Sequence, residues 1–155
     1  MRVELGVGGA LSASERGGVI VVVDAIRATS TIVTALANGI TSVKPVATTE
    51  DCVGEMTAGE RGGEKIPQLD CDNSAVAFCS DRFRGKQLVL TSTNGTECIM
   101  AAASNSASTV IIGALLNVST VAQFALETAR ISGLNITVVI AGRNNRPAPE
   151  DVIVA

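Results

Sequence analysis

The sequence contains no histidine, tryptophan or tyrosine, and its only aromatic residues are three phenylalanines. Because histidine is the commonest general base, its absence excludes Ser-His and Cys-His nucleophiles and argues against the usual zinc sites. The four cysteines form no CxxC pair, so we interpret them as small apolar residues in a reducing compartment. Any catalysis is therefore expected to use carboxylates, arginines, lysines and hydroxyls, together with a hard cation.

Long apolar runs and a strong positive charge are also absent. The longest β-branched run, Val19–Val23, is far shorter than the roughly 18 residues that a membrane-spanning helix needs. Glycines interrupt the apolar residues near the N-terminus, which makes a poor secretory signal. The net charge of −3 gives no overall field that attracts nucleic acid. We expect a cytoplasmic protein with neither a nucleic-acid nor a membrane partner.

The length of 155 residues favours one domain, and a core of Val, Ile, Leu and Ala suits a buried parallel sheet. The strand candidates are Val19–Asp24, Ser42–Ala47, Lys86–Thr91, Thr109–Gly113 and Ile136–Ala141, with a weaker edge strand at Arg2–Val7. The helix candidates are Ala28–Asn38, Thr49–Ala58, Asn73–Ser80, Asn94–Ala103 and Val118–Ser132. This alternation predicts an α/β fold, in which a mostly parallel sheet is covered by helices on both faces in three α/β/α layers.

The last residues look like the beginning of another element. Pro149 suits the first position of a helix, and Glu150 and Asp151 suit its first turn. A short closing strand over residues 151–155 is the alternative. Residues 1–155 are thus expected to form one α/β domain that lacks a C-terminal portion of a longer fold.

The most informative segment is the buried strand that ends in Asp24 and leads through Arg27 into a helix. Ligands in open α/β sheets bind at the carboxyl ends of the strands, so we interpret Asp24 and Arg27 as functional. The alternative is a capping aspartate paired with a helix arginine.

A second segment, Leu88–Thr96, is a strand that ends in hydroxyls and an Asn-Gly before a helix. Free N–H groups and the helix dipole favour an anion at such a helix start, so a phosphate could bind there. The residues concerned are Thr93, Asn94, Gly95 and Thr96. Ordinary helix capping by the same residues is the alternative.

Two charged loops complete the candidates. In Gly59–Ile66, Arg61 and Lys65 could hold phosphate or sulfonate oxygens, unless Glu60 and Glu64 simply pair with them. In Val138–Asp151, two arginines stand beside two acids, which together could clamp an oxyanion and ligate Mg²⁺. Those four residues are Arg143, Arg146, Glu150 and Asp151.

Six segments, in this order, resemble the 2-phosphosulfolactate phosphatase family, the Mg²⁺-dependent phosphatases of the coenzyme M route. They are VVVDAIRATSTIVTALANG, ERGGEK, the Asn-Ser of DNSAVAF, LTSTNGT, IIGALLN, and AGR with the later Glu150 and Asp151. The resemblance implies hydrolysis of (R)-2-phospho-3-sulfolactate to sulfolactate and phosphate, on an α/β fold unlike that of the haloacid dehalogenase phosphatases. It also adds Asn73 and Ser74 to the substrate site. Family members usually carry Gly-Asn-Ser-Pro where this chain has Asp72 to Ala75, so the turn there is expected to differ.

These observations combine into one hypothesis, the Mg²⁺-dependent hydrolysis of a phosphate monoester of a small hydroxy acid. The catalytic residues would be Asp24, Arg27 and Arg143, and the metal ligands Asp24 with Glu150 or Asp151. The substrate-binding residues would be Arg61, Lys65, Asn73, Ser74, Thr93, Asn94, Gly95 and Thr96. Water activated by the ion would attack in line, or Asp24 would act as a nucleophile.

Two alternatives belong to other classes of protein. One is a non-catalytic module that binds an anionic metabolite or a nucleotide at the same sheet edge. The other is a truncated, inactive relative that serves as a scaffold. We also expect a dimer or higher oligomer, because apolar surface left by a missing C-terminal portion would favour self-association.

Overall fold

Two four-stranded sheets organise the chain in the computed structural model, which describes residues 1–155. The strands are β1 (Arg2–Leu5), β2 (Gly18–Val23), β3 (Ser42–Val46), β4 (Met56–Arg61), β5 (Glu64–Lys65), β6 (Gln87–Thr91), β7 (Ser108–Gly113) and β8 (Ile136–Ile140). The helices are α1 (Gly6–Arg16), α2 (Ala28–Ala37), α3 (Gly95–Ala102), α4 (Val118–Ser132) and α5 (Pro149–Val154). Short 3₁₀ turns occur at Ala75–Phe78, Asp81–Phe83 and Leu115–Asn117.

The first sheet has the strand order β1-β8-β2-β7 and the second the order β3-β6-β4-β5. All pairs are parallel except β4 with β5. β2 lies between two neighbours, with Val21 opposite both Ile111 and Val138. It is buried along its whole length, which explains why its sequence is a continuous apolar run rather than an alternating one.

The side chains of β2 divide between two hydrophobic cores. Ile20 and Val22 contact the main core, which α1, α2 and α3 share with strands of both sheets. Val19, Val21 and Val23 point the other way, towards Ala125 and Ala129 of α4. The predicted α/β fold, a mostly parallel sheet with helices on both faces, is therefore confirmed for the first sheet. The second sheet is an additional layer, and its strand β3 packs against α2 and α3.

One predicted helix is wrong. The apolar spacing of Thr49–Ala58 suggests a helix, but β4 begins at Met56 and pairs in parallel with β6, with Met56 opposite Leu88. A Cβ atom on Gly59 would lie 2.7 Å from the Thr91 carbonyl oxygen, so β4 and β6 approach closely at this point. Burial between two elements selected the extended chain over local helical spacing.

The remaining predicted elements are confirmed only in part. The predicted helix Asn73–Ser80 is reduced to the 3₁₀ turn Ala75–Phe78, while α1 is a helix that the sequence analysis did not predict. Three of the first four residues of α1 are glycines, which hid its periodicity. The weak edge strand is confirmed as β1, and the residues after Pro149 form a helix instead of the alternative closing strand. No helix in the structure combines the length and the apolar character needed to cross a bilayer.

Two glycines, Gly133 at the end of α4 and Gly8 within α1, provide a stability test. Gly133 has φ +66° and follows the last helical turn, where Leu134 N–H donates to the Ala129 carbonyl. Gly133→Ala is expected to lower the free energy of unfolding by about 1 kcal/mol, because a Cβ atom disfavours this left-handed conformation. Gly8 lies in α1 with open space around it, so Gly8→Ala is expected to raise the same quantity by about 0.5 kcal/mol. Urea unfolding of both variants measures these changes. If the unfolding free energy changed in the same direction in both variants, the prediction would be contradicted.

Candidate active site

A polar cavity of about 430 Å³ lies where the carboxyl ends of both sheets meet. We call it the Asp24 cavity. Its lining residues are Asp24, Ile26, Arg27, Glu60, Gly62, Gly63, Asn73, Thr93, Asn94, Gly142, Arg143, Asn144, Ala148, Glu150 and Asp151. Loops after β2 and β8 supply one wall and loops after β4 and β6 supply the other. The expected gathering of strand ends thus occurs between two sheets instead of along one edge.

Asp24 is one of three buried carboxylates in this cavity, together with Glu60 and Asp151. It is 9% exposed, and α2 begins four residues later with Thr29 N–H and Thr29 Oγ1 both donating to the Asp24 carbonyl oxygen. Burial, the nearby Asp151 and, to a smaller extent, Glu60 raise the pKa of Asp24 to about 6, against the opposing effect of the Ala28 and Arg27 amides. Asp24 therefore has an energetic reason to take up a cation or a proton.

Asp151 joins two loops at the base of the cavity. Its Oδ1 accepts a hydrogen bond from Ala25 N–H at 2.7 Å and its Oδ2 accepts one from Gly142 N–H at 2.9 Å. Burial raises the pKa of Asp151, while these two amides lower it. Both carboxylate oxygens therefore hold the loops after β2 and β8 in place beside Asp24.

Arg27 crosses the cavity to the opposite wall. Its Nη1 donates to Asp72 Oδ2 at 2.8 Å and its Nη2 donates to the Gly63 carbonyl oxygen at 2.9 Å. The alternative in which Arg27 pairs with Asp24 is not what the structure shows. Arg27 instead ties the loop after β2 to the second sheet.

Asn73 lines the same wall with an unused amide. It is 1% exposed, and its Oδ1 has no hydrogen-bond partner, like the Oδ1 of the neighbouring Asp72. A buried polar atom without a partner is costly, so this wall is suited to a ligand or a water that supplies the missing hydrogen bond.

Glu60 is a residue that the sequence analysis did not assign to the site. Its carboxylate accepts from Gly63 N–H at 2.7 Å, Thr93 N–H at 2.6 Å and Thr93 Oγ1 at 2.9 Å. Thr93 Oγ1 in turn accepts from Gly62 N–H. The amide and hydroxyl of Thr93, expected to cradle a phosphate, are thus already occupied by a carboxylate. A glutamate at a strand end could have been the signal, but the helix predicted over Thr49–Ala58 concealed that strand.

The other residues of the Leu88–Thr96 segment have two different positions: some fix the start of α3, and one lines the cavity. Thr96 is fully buried, its N–H donates to Ser92 Oγ and its hydroxyl accepts from Ser92 N–H, so Ser92 and Thr96 together fix the first turn of α3. Gly95 lies directly behind Asp24, since a Cβ atom there would overlap Asp24 Oδ2. Asn94 lines the cavity, and its backbone N–H makes no hydrogen bond within the protein.

Five of the eight expected substrate-binding residues do not line the cavity: Gly95 and Thr96, described above, and Arg61, Lys65 and Ser74. Arg61 donates to the Ala47 carbonyl at 2.8 Å and to Thr91 Oγ1 at 2.7 Å, so its guanidinium binds strand ends of the second sheet. Lys65 is exposed on β5, and Ser74 precedes the 3₁₀ turn that begins at Ala75. The alternative pairing of the Glu60 carboxylate with Arg61 is not found either, because Arg61 donates to the Glu60 carbonyl instead.

Arg143 is the free guanidinium of the cavity. It is exposed on the loop after β8 and takes part in none of the ion pairs of the protein. Glu150, half-buried at the start of α5, lines the same side. An anionic ligand would therefore meet an unpaired positive charge opposite Asn73 and Asn94.

The acids of the cavity bear on whether a divalent cation fits. Four carboxylates line it against two guanidiniums, and one of those, Arg27, is paired with Asp72. No group of three acidic, histidine or cysteine side chains is arranged as a complete metal cage. Mg²⁺ is ordinarily held by one or two carboxylates plus water and substrate phosphate, so the surplus of negative charge around Asp24 fits such a partial site.

Comparison with known proteins shows the family of the chain. The sequence model of the family described as 2-phosphosulpholactate phosphatase matches residues 9–155. This chain belongs to the 2-phosphosulfolactate phosphatase family. The resemblance seen in the six sequence segments is thereby confirmed.

Two bacterial relatives illustrate the relationship within the family. A protein of Caldanaerobacter subterraneus is 36% identical over 145 residues, covering 88% of this chain and 58% of the relative. A protein of Thermotoga petrophila is 39% identical over 140 residues, covering 87% of this chain and 58% of the relative. Both are named "Probable 2-phosphosulfolactate phosphatase". The chain thus spans less than two thirds of the length of these relatives.

Proposed function

We propose that this family member is a Mg²⁺-dependent phosphatase that hydrolyses a phosphate monoester of a small hydroxy acid, and that its substrate is (R)-2-phospho-3-sulfolactate. The observation that carries the proposal is the juxtaposition, in one cavity, of the buried Asp24 carboxylate and the unpaired Arg143 guanidinium. Family membership and the names of the relatives support the same reaction.

Asp24 would hold the ion, with Glu150 and Asp151 as the other carboxylates on the same side of the cavity. Asp151 already accepts one amide hydrogen bond on each oxygen, so it would contribute through a remaining lone pair or by orienting the loops. When bound, Mg²⁺ supplies a positive charge that polarises the phosphoryl group and lowers the pKa of a coordinated water.

The chain's own groups would bind and orient the phosphate. Arg143 would neutralise phosphoryl oxygens by bidentate hydrogen bonding, and Asn94 N–H would donate a further hydrogen bond. The unpartnered Asn73 Oδ1 is an acceptor, so it would take its missing hydrogen bond from a water bound beside the ester. In the balanced reaction, water oxygen bonds to phosphorus, the ester P–O bond breaks, and the alcohol oxygen leaves with a proton from the water.

Arg27 has a different role in this proposal. Because its guanidinium is bound to Asp72 and Gly63, it would hold the two walls of the cavity at a fixed separation instead of contacting phosphate. We also propose the cytoplasm as the compartment, because all four cysteines are free thiols, as is usual in a reducing environment.

A phosphate-release screen tests the proposed function. Purified protein is incubated with 2-phospho-3-sulfolactate, 2-phosphoglycerate and glycerol 2-phosphate, each with Mg²⁺ and with a chelator. We expect release that requires Mg²⁺ and is fastest with 2-phospho-3-sulfolactate. Release that is equal in the chelator would contradict the metal dependence, and release that is fastest with glycerol 2-phosphate would contradict the substrate.

A non-catalytic anion-binding module is the second candidate, and one observation favours it. Glu60 already occupies the donors of Thr93, which leaves fewer groups to stabilise a transition state. This candidate predicts that the same esters bind without turnover and with little dependence on Mg²⁺. Saturable binding in the absence of any phosphate release would therefore replace the first proposal by the second.

A further inference from the structure

The loop after β8 contains a second arginine that the proposed function does not use. Arg143 N–H donates to the Arg146 carbonyl at 2.9 Å, and Arg146 N–H donates to the Arg143 carbonyl at 3.0 Å. These two residues therefore close a two-residue hairpin turn as a directly opposed pair. Side chains of such a pair extend from the same face of the hairpin, with Cα atoms about 5.5 Å apart.

The turn itself has a specific backbone conformation. Asn144 and Asn145 have φ values of +51° and +56°, and asparagine is among the few residues other than glycine that adopt this region readily. Gly142, at φ +68°, precedes the turn, and a Cβ atom there would overlap the Arg146 carbonyl oxygen. Gly142 N–H donates to Asp151 Oδ2. The hairpin is consequently anchored at its base to the same acid that lies beside Asp24.

Both guanidiniums of the hairpin are without a protein anion. Neither Arg143 nor Arg146 takes part in an ion pair, although like charges on opposed positions repel each other. A second open cavity, beside the Asp24 cavity, is lined by Arg143, Asn144, Arg146, Pro147, Ala148, Pro149 and Glu150. The two cavities share Arg143, Asn144, Ala148 and Glu150. Arg143 therefore faces both spaces, whereas Arg146 faces only the second.

We propose that Arg146 and Arg143 together form a second anion subsite, which selects substrates carrying a carboxylate or sulfonate in addition to the phosphate. This inference rests on the proposed function for the position of the phosphate, which lies in the Asp24 cavity. The second oxyanion binds between the two guanidiniums, where it removes their mutual repulsion. Arg146 is a specificity-determining residue and does not contact the phosphoryl group.

Binding of two matched esters tests the subsite without turnover. Glycerol 2-phosphate and 2-phosphoglycerate differ in that a neutral CH₂OH group of the first is a carboxylate in the second. Dissociation constants are measured by calorimetry at low salt in a chelator. We expect wild-type protein to bind 2-phosphoglycerate about 10-fold more tightly than glycerol 2-phosphate, as one charge-assisted contact provides. In Arg146→Gln this ratio falls to about 1, and in Arg146→Lys it is intermediate.

Arg130→Gln is the matched control. Arg130 is an exposed arginine on α4, and it lines neither of the two cavities. Arg130→Gln should keep the wild-type ratio, and circular dichroism checks that each variant is folded. A ratio unchanged in folded Arg146→Gln would overturn the subsite. 2-Phospho-3-sulfolactate, measured in the same way, distinguishes a sulfonate from a carboxylate as the preferred second anion.

The outcomes separate this inference from the proposed function. If phosphate release requires Mg²⁺ but the binding ratio does not depend on Arg146, the subsite is wrong and the phosphatase proposal stands. If no ester is hydrolysed but the ratio still depends on Arg146, the subsite stands and the phosphatase proposal is wrong.

Discussion

Asp24→Asn is expected to reduce phosphate release by on the order of 10³-fold while making the metal-free protein more stable at neutral pH. The loss of activity follows because an amide cannot supply the negative charge that would hold Mg²⁺ at the base of the cavity. The gain in stability follows because a buried charge is removed. A residue whose charge is costly to the fold but required for turnover shows both effects together.

The direction of the pH dependence follows from the pKa of Asp24, which rises from 3.8 to about 6 on folding, chiefly through burial. Between those values the folded protein keeps a proton that the unfolded chain has released. Stability therefore falls as the pH rises from about 4 to about 6. Above that window the penalty is about 3 kcal/mol, from about 1.36 kcal/mol for each pKa unit.

Urea unfolding in a chelator, at pH 4 and pH 7.5, measures this effect. Asp24→Asn should match the wild type at pH 4 and exceed it by up to about 3 kcal/mol at pH 7.5. Glu15→Gln, which changes an exposed carboxyl on α1, should show no such difference. Equal stability of Asp24→Asn and wild type at pH 7.5 would mean that Asp24 carries no buried charge. Full phosphatase activity of Asp24→Asn would remove its proposed role.

Glu60→Gln is expected to lower the free energy of unfolding by about 2 to 4 kcal/mol. The Glu60 carboxylate accepts three hydrogen bonds, from Gly63 N–H, Thr93 N–H and Thr93 Oγ1. An amide offers one oxygen in place of two and turns its NH₂ group towards donors. At least one of these partly buried donors then loses its partner, and the Glu60 side chain no longer holds Gly63 to Thr93.

The same variant should also shift the pH profile of activity. The negative charge of Glu60 contributes to raising the pKa of Asp24, so its removal lowers that pKa. The acid limb of phosphate release is therefore expected to move to lower pH in Glu60→Gln. A variant that only loosened the fold would lose activity at every pH without moving that limb.

Glu64→Gln provides the matched control for Glu60→Gln. Glu64 lies on the neighbouring strand β5, is exposed, and bonds to neither Thr93 nor Gly63. It should leave both the unfolding free energy and the acid limb unchanged. If Glu64→Gln and Glu60→Gln behaved alike, the connection between the loops after β4 and β6 would not depend on the Glu60 carboxylate.

Local sequence patterns identified most of the first sheet and the helices that cover it. The apolar run of β2, the helix Val118–Ser132 and its terminal Gly133 are all confirmed. Each depends on short-range physics, namely continuous burial, helical periodicity and a left-handed C-cap. The membership of the family was also recognisable, because the order of six motifs survives even where single motifs are weak.

The arrangement of the second sheet was not recognisable in this way. The helix predicted over Thr49–Ala58 overlaps the first residues of β4, and these residues are a strand because they pair with β6. Glu60 was missed for the same reason. It lies near the end of β4, and β4 is a strand because of its long-range pairing. Arg61 and Thr93 were predicted to bind phosphate because their residue types suit it. In the fold, Arg61 instead donates to Thr91 and Thr93 donates to Glu60.

By itself, the sequence determined which residues are chemically able to act, because composition excludes histidine chemistry and local periodicity places Asp24 at the end of a buried strand. The tertiary structure alone decided which of them share a cavity. Long-range pairing of two sheets and burial of charge select one partner for each polar group, and a pattern confined to neighbouring residues carries no information about those distances.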